Sequence, residues 1–172
     1  ARGDEVLIAD LLSDDDGNET EYSNIICSDE TIFISEYTNE DVLRNSFITT
    51  IIGNVLIDEG ITLPALTNIT GNARIRKGAQ LPVLANIGGT ANIGENVELP
   101  VLANIGGTAN IDEYVELPVL ANIGGNAYIY EGVHLPLLTN IGGTADIRKS
   151  AYLPALMSTG SYANIQAGAY LP

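Results

Sequence analysis

The chain has 172 residues with no Trp and two Phe, and 45% of its residues are hydrophobic, which suits one domain with an aliphatic core. A single Cys excludes an intramolecular disulfide framework. No run of about eighteen apolar residues occurs, so no segment is predicted to span a membrane.

The net charge of −15 is unevenly distributed. Residues 1–62 hold fifteen acidic and two basic side chains, a net charge of −13, whereas residues 63–172 hold seven acidic and five basic ones, a net charge of −2. Neither part carries a basic stripe that would neutralise phosphates. Nucleic acid is therefore not expected as a partner.

Residues 1–44 do not repeat and are predicted to form an acidic N-terminal cap over the open end of a stack. The lone Cys27 is expected to be buried as a small hydrophobic residue. Alternating β-branched and polar residues predict three strands, and a more polar stretch predicts a helical turn. These segments are Val6–Ala9, Ile25–Cys27, Thr31–Ser35 and, for the helical turn, Asn39–Arg44.

The densest charge cluster in the chain is the run from Ser13 to Glu21. A solvated acidic loop is the favoured interpretation. A calcium site is the alternative, because hard cations bind several carboxylates on a flexible loop, although the spacing does not match the known calcium-loop motif. The candidate calcium ligands are Asp14, Asp15, Asp16 and Glu19, and no other cofactor is expected.

A periodic pattern begins at Asn45. Residues 45–62 resemble a degenerate first coil, and residues 63–172 contain six head-to-tail copies of an eighteen-residue block. A period this short and strict is typical of a solenoid, in which each repeat forms one turn of a stack. The copies that begin at Leu81 and Leu99 read LPVLANIGGTANIGENVE and LPVLANIGGTANIDEYVE.

Each block divides into three hexads that begin with an aliphatic residue, as Leu99, Ile105 and Ile111 do. Apolar and polar residues alternate over short runs, which is strand periodicity, and Gly-Gly pairs and Pro mark the corners. The pattern predicts an all-β, single-stranded β-solenoid with triangular coils. Six coils spaced by about 4.8 Å would form a rod about 29 Å long.

The hexad pattern resembles the hexapeptide repeat of left-handed β-helix proteins over about two thirds of the chain, as in Ile-Gly-Gly-Thr-Ala-Asn from Ile87 and from Ile105. The block also resembles the LPxLxxIGG phrase of leucine-rich and receptor-L-type solenoids, in which both Leu point inward. Handedness stays open, with the left-handed form slightly favoured. One column departs from the hexapeptide motif and is either core or an outward apolar stripe. It contains Leu66, Leu84, Leu102, Leu120, Leu138 and Leu156.

The resemblance implies two enzyme classes: acyltransferases with a catalytic His, and carbonic anhydrases that hold zinc with three His. This chain has one His, His134, whose counterparts in other blocks vary, and its six blocks have no insertion. His134 is therefore interpreted as an exposed surface residue, and the chain is not expected to be an enzyme. One column of Asn is predicted to form a stacked amide ladder rather than a ligand row. Its members are Asn68, Asn86, Asn104, Asn122 and Asn140.

The predicted function is structural: a rigid rod that self-associates, end to end or laterally, into an extracellular or virion-associated fibre. The last two residues, Leu171 and Pro172, open a seventh block and are the predicted end-to-end interface. The acidic composition suits a location outside the cell or on a virion or cell surface.

An adhesin or binding module is the alternative function, with a glycan or a host-surface protein as its partner. A minor alternative is ice binding, because Thr90, Thr108 and Thr144 recur at the same position of their blocks. Other blocks interrupt that row, which weakens lattice matching. The side chains predicted to contact a glycan or protein are Tyr114, Tyr128, Tyr130, Tyr152 and Tyr162.

Overall fold

The computed structural model of the chain describes residues 6–7 and 24–172. The acidic run that contains the candidate calcium ligands lies outside the described residues, as do the last two residues of the strand predicted at Val6–Ala9.

The described residues form seventeen strands of two or three residues and one short helix, α1, at Asn39–Asn45. The strands are Val6–Leu7 (β1), Ile25–Cys27 (β2), Ile32–Ile34 (β3), Thr50–Ile52 (β4), Val55–Ile57 (β5), Asn68–Ile69 (β6), Ala73–Ile75 (β7), Asn86–Ile87 (β8), Ala91–Ile93 (β9), Asn104–Ile105 (β10), Ala109–Ile111 (β11), Asn122–Ile123 (β12), Ala127–Ile129 (β13), Asn140–Ile141 (β14), Ala145–Ile147 (β15), Ser158–Thr159 (β16) and Ala163–Ile165 (β17).

The strands stack into two parallel sheets. All nine odd-numbered strands form one sheet in chain order, and the eight even-numbered strands form the other. Asn104 pairs with Asn86 on one side and with Asn122 on the other, so residues eighteen positions apart lie side by side. A third side is held by isolated parallel bridges, such as the one between Gln80 and Glu98. Parallel strands joined by short corners in this way build a solenoid.

Alternation along each strand separates the core from the surface. In β11, Ala109 and Ile111 are buried while Asn110 between them points outward. Every buried apolar side chain among the described residues is Ile, Leu, Val or Ala. These residues form one continuous cluster from Ile26 to Leu153. The coil interior is therefore an aliphatic column, as the lack of Trp predicts.

The column that begins at Leu66 faces inward. Its first five members are fully buried, and Leu156 is partly buried against the core. At the corner that Leu102 closes, the N–H of Leu102 donates to the carbonyl of Leu99 at 3.3 Å and forms a β-turn. Both Leu side chains therefore lie inside the coil, and Val101 between them points outward. The column is therefore part of the core and not an outward apolar stripe, the two alternatives that the sequence left open.

The corner glycines allow close approach of successive turns. A Cβ atom on Gly106 would collide with the carbonyl oxygen of Gly88 in the turn below. The same collision would occur at Gly124 and Gly142. These glycines are therefore needed for packing between turns, which agrees with their interpretation as corners.

The described N-terminal strands belong to the same two sheets. β2 pairs with β4, and β3 pairs with both β1 and β5. β2 has the predicted bounds, and β3 lies within the predicted Thr31–Ser35. The division between a cap and a degenerate coil at residues 44 and 45 stays a prediction.

Helix α1 lies between β3 and β4 and begins with a capping box. The N–H of Asp41 donates to Thr38 Oγ1 at 3.2 Å, and the N–H of Thr38 donates to Asp41 Oδ2 at 2.9 Å. This reciprocal pair satisfies two backbone donors at the helix start. The buried Asn45 at its end donates from Nδ2 to the carbonyl of Ser35 at 3.3 Å.

The chain is thus an all-β parallel solenoid of about six turns with eighteen-residue spacing, consistent with a β-helix of the hexapeptide-repeat type. The predicted fold class is confirmed.

Replacing Leu102 with Ala tests the inward column. We expect the free energy of unfolding to fall by about 2–5 kcal/mol, because a fully buried Leu leaves a cavity between two turns. Val101→Ala is the matched control, since Val101 is 41% exposed and should cost less than about 1 kcal/mol. Urea denaturation followed by circular dichroism measures both changes, and equal losses would contradict the assignment.

Candidate functional site

The outer face of the odd-numbered sheet carries two rows of outward side chains. One row comes from the central residue of each strand, and the other from the residue after each strand. Because turns stack in register, the members of each row lie one turn apart. The rows are Arg74, Asn92, Asn110, Tyr128 and Asp146, and Arg76, Gly94, Asp112, Tyr130 and Arg148.

A cleft of about 830 Å³ interrupts this face. Gly94 has no side chain, so the second row has a gap between Arg76 and Asp112. Arg74 and Tyr130 lie at opposite ends of the space. We call this space the Gly94 cleft.

The basic side chains near the cleft differ in their partners. Arg76 Nη1 lies 2.9 Å from Asp58 Oδ1, and Lys77 Nζ lies 2.9 Å from Glu95 Oε2. The hydrogen bond that Lys77 donates to Glu95 and, next, the negative charge of Glu95 raise the pKa of Lys77. Arg148 and Lys149, further along the array, are also ion-paired. Arg74 is the one basic side chain of residues 63–172, all of which are described, that has no ion pair.

Two stacked amides form the floor of the cleft. Asn110 Nδ2 donates to Asn92 Oδ1 at 2.8 Å. Asp112 lies beside them, and its pKa is raised first by loss of solvent around the carboxyl and then by the charge of Glu95. The cleft therefore combines a free guanidinium, two oriented amides and a carboxyl that is costly to ionise.

The third side of the solenoid contains an interruption. Its bridging column runs Thr62, Gln80, Glu98, Glu116, His134, Tyr152 and Tyr170, and successive members are bridged at every step except Glu98–Glu116. Within these described turns, no hydrogen bond joins Leu99 N–H to the carbonyl of Glu116, or Glu116 N–H to that of Val97. Within this column, it is the one step that places like charges opposite each other, an unfavourable arrangement.

A second cleft of about 450 Å³ opens at this interruption, lined by apolar groups that include Val97, Leu99 and Pro100. Tyr114, at the corner of this cleft, has a φ of 58°. The equivalent residue is Asn96 in the turn below and Gly132 in the turn above. The Tyr114 ring occupies the space that a Cβ atom on Gly132 would need.

Aromatic rings continue the same column beyond the interruption. The ring centroids of His134 and Tyr152 are 4.6 Å apart, and those of Tyr152 and Tyr170 are 5.0 Å apart, with nearly parallel planes. His134 is half-buried in this stack, whereas the sequence predicted an exposed residue. The spacing of the rings follows the spacing of the turns.

The predicted tyrosines do not lie on one surface. Tyr128 and Tyr130 are exposed together on the odd-strand face, and Tyr114 is exposed at a corner. Tyr152 is half-buried in the ring stack, and Tyr162 is exposed just before β17.

The other predicted site residues lie elsewhere. Leu171 is partly buried against the end of the core, and Pro172 is exposed. The structure does not describe the candidate calcium ligands, namely Asp14, Asp15, Asp16 and Glu19.

The predicted Asn ladder forms over part of its length. Asn122 Nδ2 donates to Asn104 Oδ1 at 2.8 Å, Asn140 Nδ2 donates to Asn122 Oδ1 at 2.7 Å, and Ser158 Oγ donates to Asn140 Oδ1. This ladder runs along the even-numbered sheet, on a different face from the Gly94 cleft.

The expectation for Cys27 was wrong, because its thiol is exposed at the end of β2, where the neighbouring Ile26 takes the inward position. Among residues 6–7 and 24–172, no group of three or more His, Cys, Asp or Glu side chains is arranged to hold a metal ion. The described part of the chain also has no helix that is long and apolar enough to cross a membrane.

Comparison with known proteins gives no match to a protein-family model, to a curated protein or to a solved structure.

Sequence reasoning missed the Gly94 cleft, although the sequence contained a signal for it. Gly94 is the one glycine in a column that otherwise holds Asp, Arg, Tyr and Gln, and Arg74 occupies the position of Asn92 and Asn110. Departures from the repeat mark the cleft.

Replacing Asp112 with Asn tests the electrostatics of the cleft. A raised pKa means that the folded state holds the proton more tightly than the unfolded state, so Asp112 lowers stability as the pH rises above its ordinary pKa. We expect Asp112→Asn to stabilise the protein at pH 7, by less than about 1 kcal/mol because solvent screens this group. The gain should vanish near pH 3.

The matched control is Asp146→Asn, because Asp146 is ion-paired with Arg148 at 3.1 Å on the same face. It should give no gain at pH 7. Thermal unfolding at both pH values measures the changes, and a pH-independent effect of Asp112→Asn would contradict the assignment.

Native-state hydrogen exchange tests the interruption on the third side. The amides of Leu99 and Glu116 should exchange at least about tenfold faster than those of Leu81 and His134, which donate to neighbouring turns at 3.0 Å. Leu81 is the counterpart of Leu99, and His134 is the counterpart of Glu116, so each comparison is made between equivalent positions. Equal protection would show that the turns are joined at this step as elsewhere.

Proposed function

We propose that the chain is a non-enzymatic structural protein, a rigid β-solenoid rod that assembles end to end into a fibre outside the cell or on a virion. The observation that carries this proposal is the unbroken in-register pairing of both sheets from β2 to β17. A continuous hydrogen-bonded stack around a close-packed aliphatic column resists bending.

The repeat itself supports association between copies. Strands of the array pair in register with strands of nearly the same sequence in the neighbouring turns, as Ala109–Ile111 does with Ala91–Ile93. A turn that pairs with near-identical turns of its own chain presents the same pairing pattern to a turn of another copy.

Electron microscopy and multi-angle light scattering test the assembly. We expect the purified chain to form rods whose length increases with protein concentration. Ile165→Lys should abolish the rods, because a charge in the inward column blocks strand addition. Asn164→Lys is the matched control, since this residue is adjacent but exposed on the outer face, and the rods should persist.

A monodisperse monomer at about 100 μM, a concentration well above the Kd expected for a stable interface, would overturn the fibre proposal. So would equal loss of rods in both variants.

A second candidate function is a binding module that recognises a glycan or a protein through its outer face. The observation that favours it is the Gly94 cleft, with exposed Tyr130 at one end and an unpaired Arg74 at the other. The volume of the cleft lies in the range of ligand sites, and its mainly polar lining suits a polar ligand.

A further inference from the structure

We propose that the Gly94 cleft binds an oligosaccharide that contains a uronic acid, with Arg74 holding the sugar carboxylate. This inference rests on the second function proposed above and names its ligand class. It does not depend on end-to-end assembly.

Arg74 carries the recognition of the carboxylate. Its neighbours Arg76 and Lys77 are already bound to Asp58 and Glu95 at 2.9 Å, so their charges are compensated. Arg74 is exposed and ion-paired to no residue of the repeat array. A free guanidinium presents a planar fork of donors, which matches the two oxygens of a carboxylate.

The surrounding charges favour a ligand with isolated carboxylates over a highly charged polyanion. Glu59, Glu95 and Asp112 also line the cleft and would repel a dense run of negative groups. At physiological ionic strength this repulsion decays over about 8 Å, so one carboxylate seated on Arg74 is still favoured.

The amides of Asn92 and Asn110 suit sugar hydroxyls. Each amide offers both a donor and an acceptor, and the 2.8 Å bond between them fixes their orientation. Asp112 beside them accepts hydrogen bonds when ionised. Hydroxyl groups that both donate and accept are complementary to this set of side chains.

Tyr130 supplies an apolar surface at the far end of the cleft. Its ring is 42% exposed and lies three turns from Arg74, a separation of about 14 Å at the spacing of stacked strands. A Tyr ring offers a rigid apolar face with a polar tip, which suits the C–H face of a sugar ring. The span between the two residues accommodates more than one sugar, so the expected ligand is an oligosaccharide.

The test uses two matched probes, a neutral disaccharide extended by one terminal galacturonic acid and the methyl ester of that compound, which differ only in the charge of one carboxyl group. Titration of the ¹⁵N-labelled chain should shift the amide resonances of Asn92, Gly94 and Asn110. The acid should bind at least about tenfold more tightly than the ester, because hydrogen bonds to charged groups are the stronger ones.

Arg74→Gln should lower the affinity for the acid by about tenfold or more and bring it to the level of the ester. Tyr130→Leu should weaken both probes several-fold. Arg148→Gln is the matched control, because Arg148 is on the same face but bound to Asp146, and it should change affinity less than about twofold. Thermal unfolding of each variant verifies that the fold is intact.

Absence of binding by the acid probe at millimolar concentration would overturn the inference. Equal affinities for the two probes, or an unchanged affinity in Arg74→Gln, would overturn it as well. If the two probes bound with equal affinity and shifted the amide resonances of Tyr128 and Tyr130, the second proposed function would stand, with a neutral glycan as the ligand. The rod assay is unaffected by any of these results, so the two proposals fail separately.

Discussion

The whole structure depends on the hydrogen bonds between turns, which in the repeat array require each residue to lie beside its counterparts eighteen positions before and after it. Ala109 pairs with Ala91 and Ala127, and Ile111 with Ile93 and Ile129. Every column of the repeat therefore experiences a single environment, buried, outward or corner. The effect of a substitution on stability therefore depends more on the two column neighbours of the residue than on its neighbours in sequence.

This constraint accounts for both sites where the regular stack changes. Glu98 below Glu116 repeats a charge in one column, and the backbone bonds of that step are missing. Gly94 removes one side chain from an outward row without affecting Ile93 beside it, which stays buried, and a cleft forms on an intact sheet. The change at Glu98 and Glu116 coincides with missing backbone bonds, whereas the change at Gly94 stays on the surface.

Most of the fold was predictable because the periodicity of the sequence indicates which columns are buried, which point outward and which form corners. The inward Ile111 column, the glycine corners and β2 follow from alternation and turn chemistry alone. The direction of the Leu102 column did not, because it depends on the turn bond between Leu102 and Leu99. The exposure of Cys27 was missed because a lone residue outside the repeat has no column to define its side. Only Tyr130 of the cleft was anticipated, since a missing side chain at Gly94 produces no positive signal in a sequence.

The unbonded step between Leu99 and Leu117 has a mechanical consequence. In a rod pulled along its axis, load passes from turn to turn through the backbone bonds of all three sides. At this step two sides carry the load that three carry elsewhere. Extension under tension would begin there and hinge about the two remaining sheets, while the turns before and after it stay closed. The described solenoid would then have one compliant joint between these two turns.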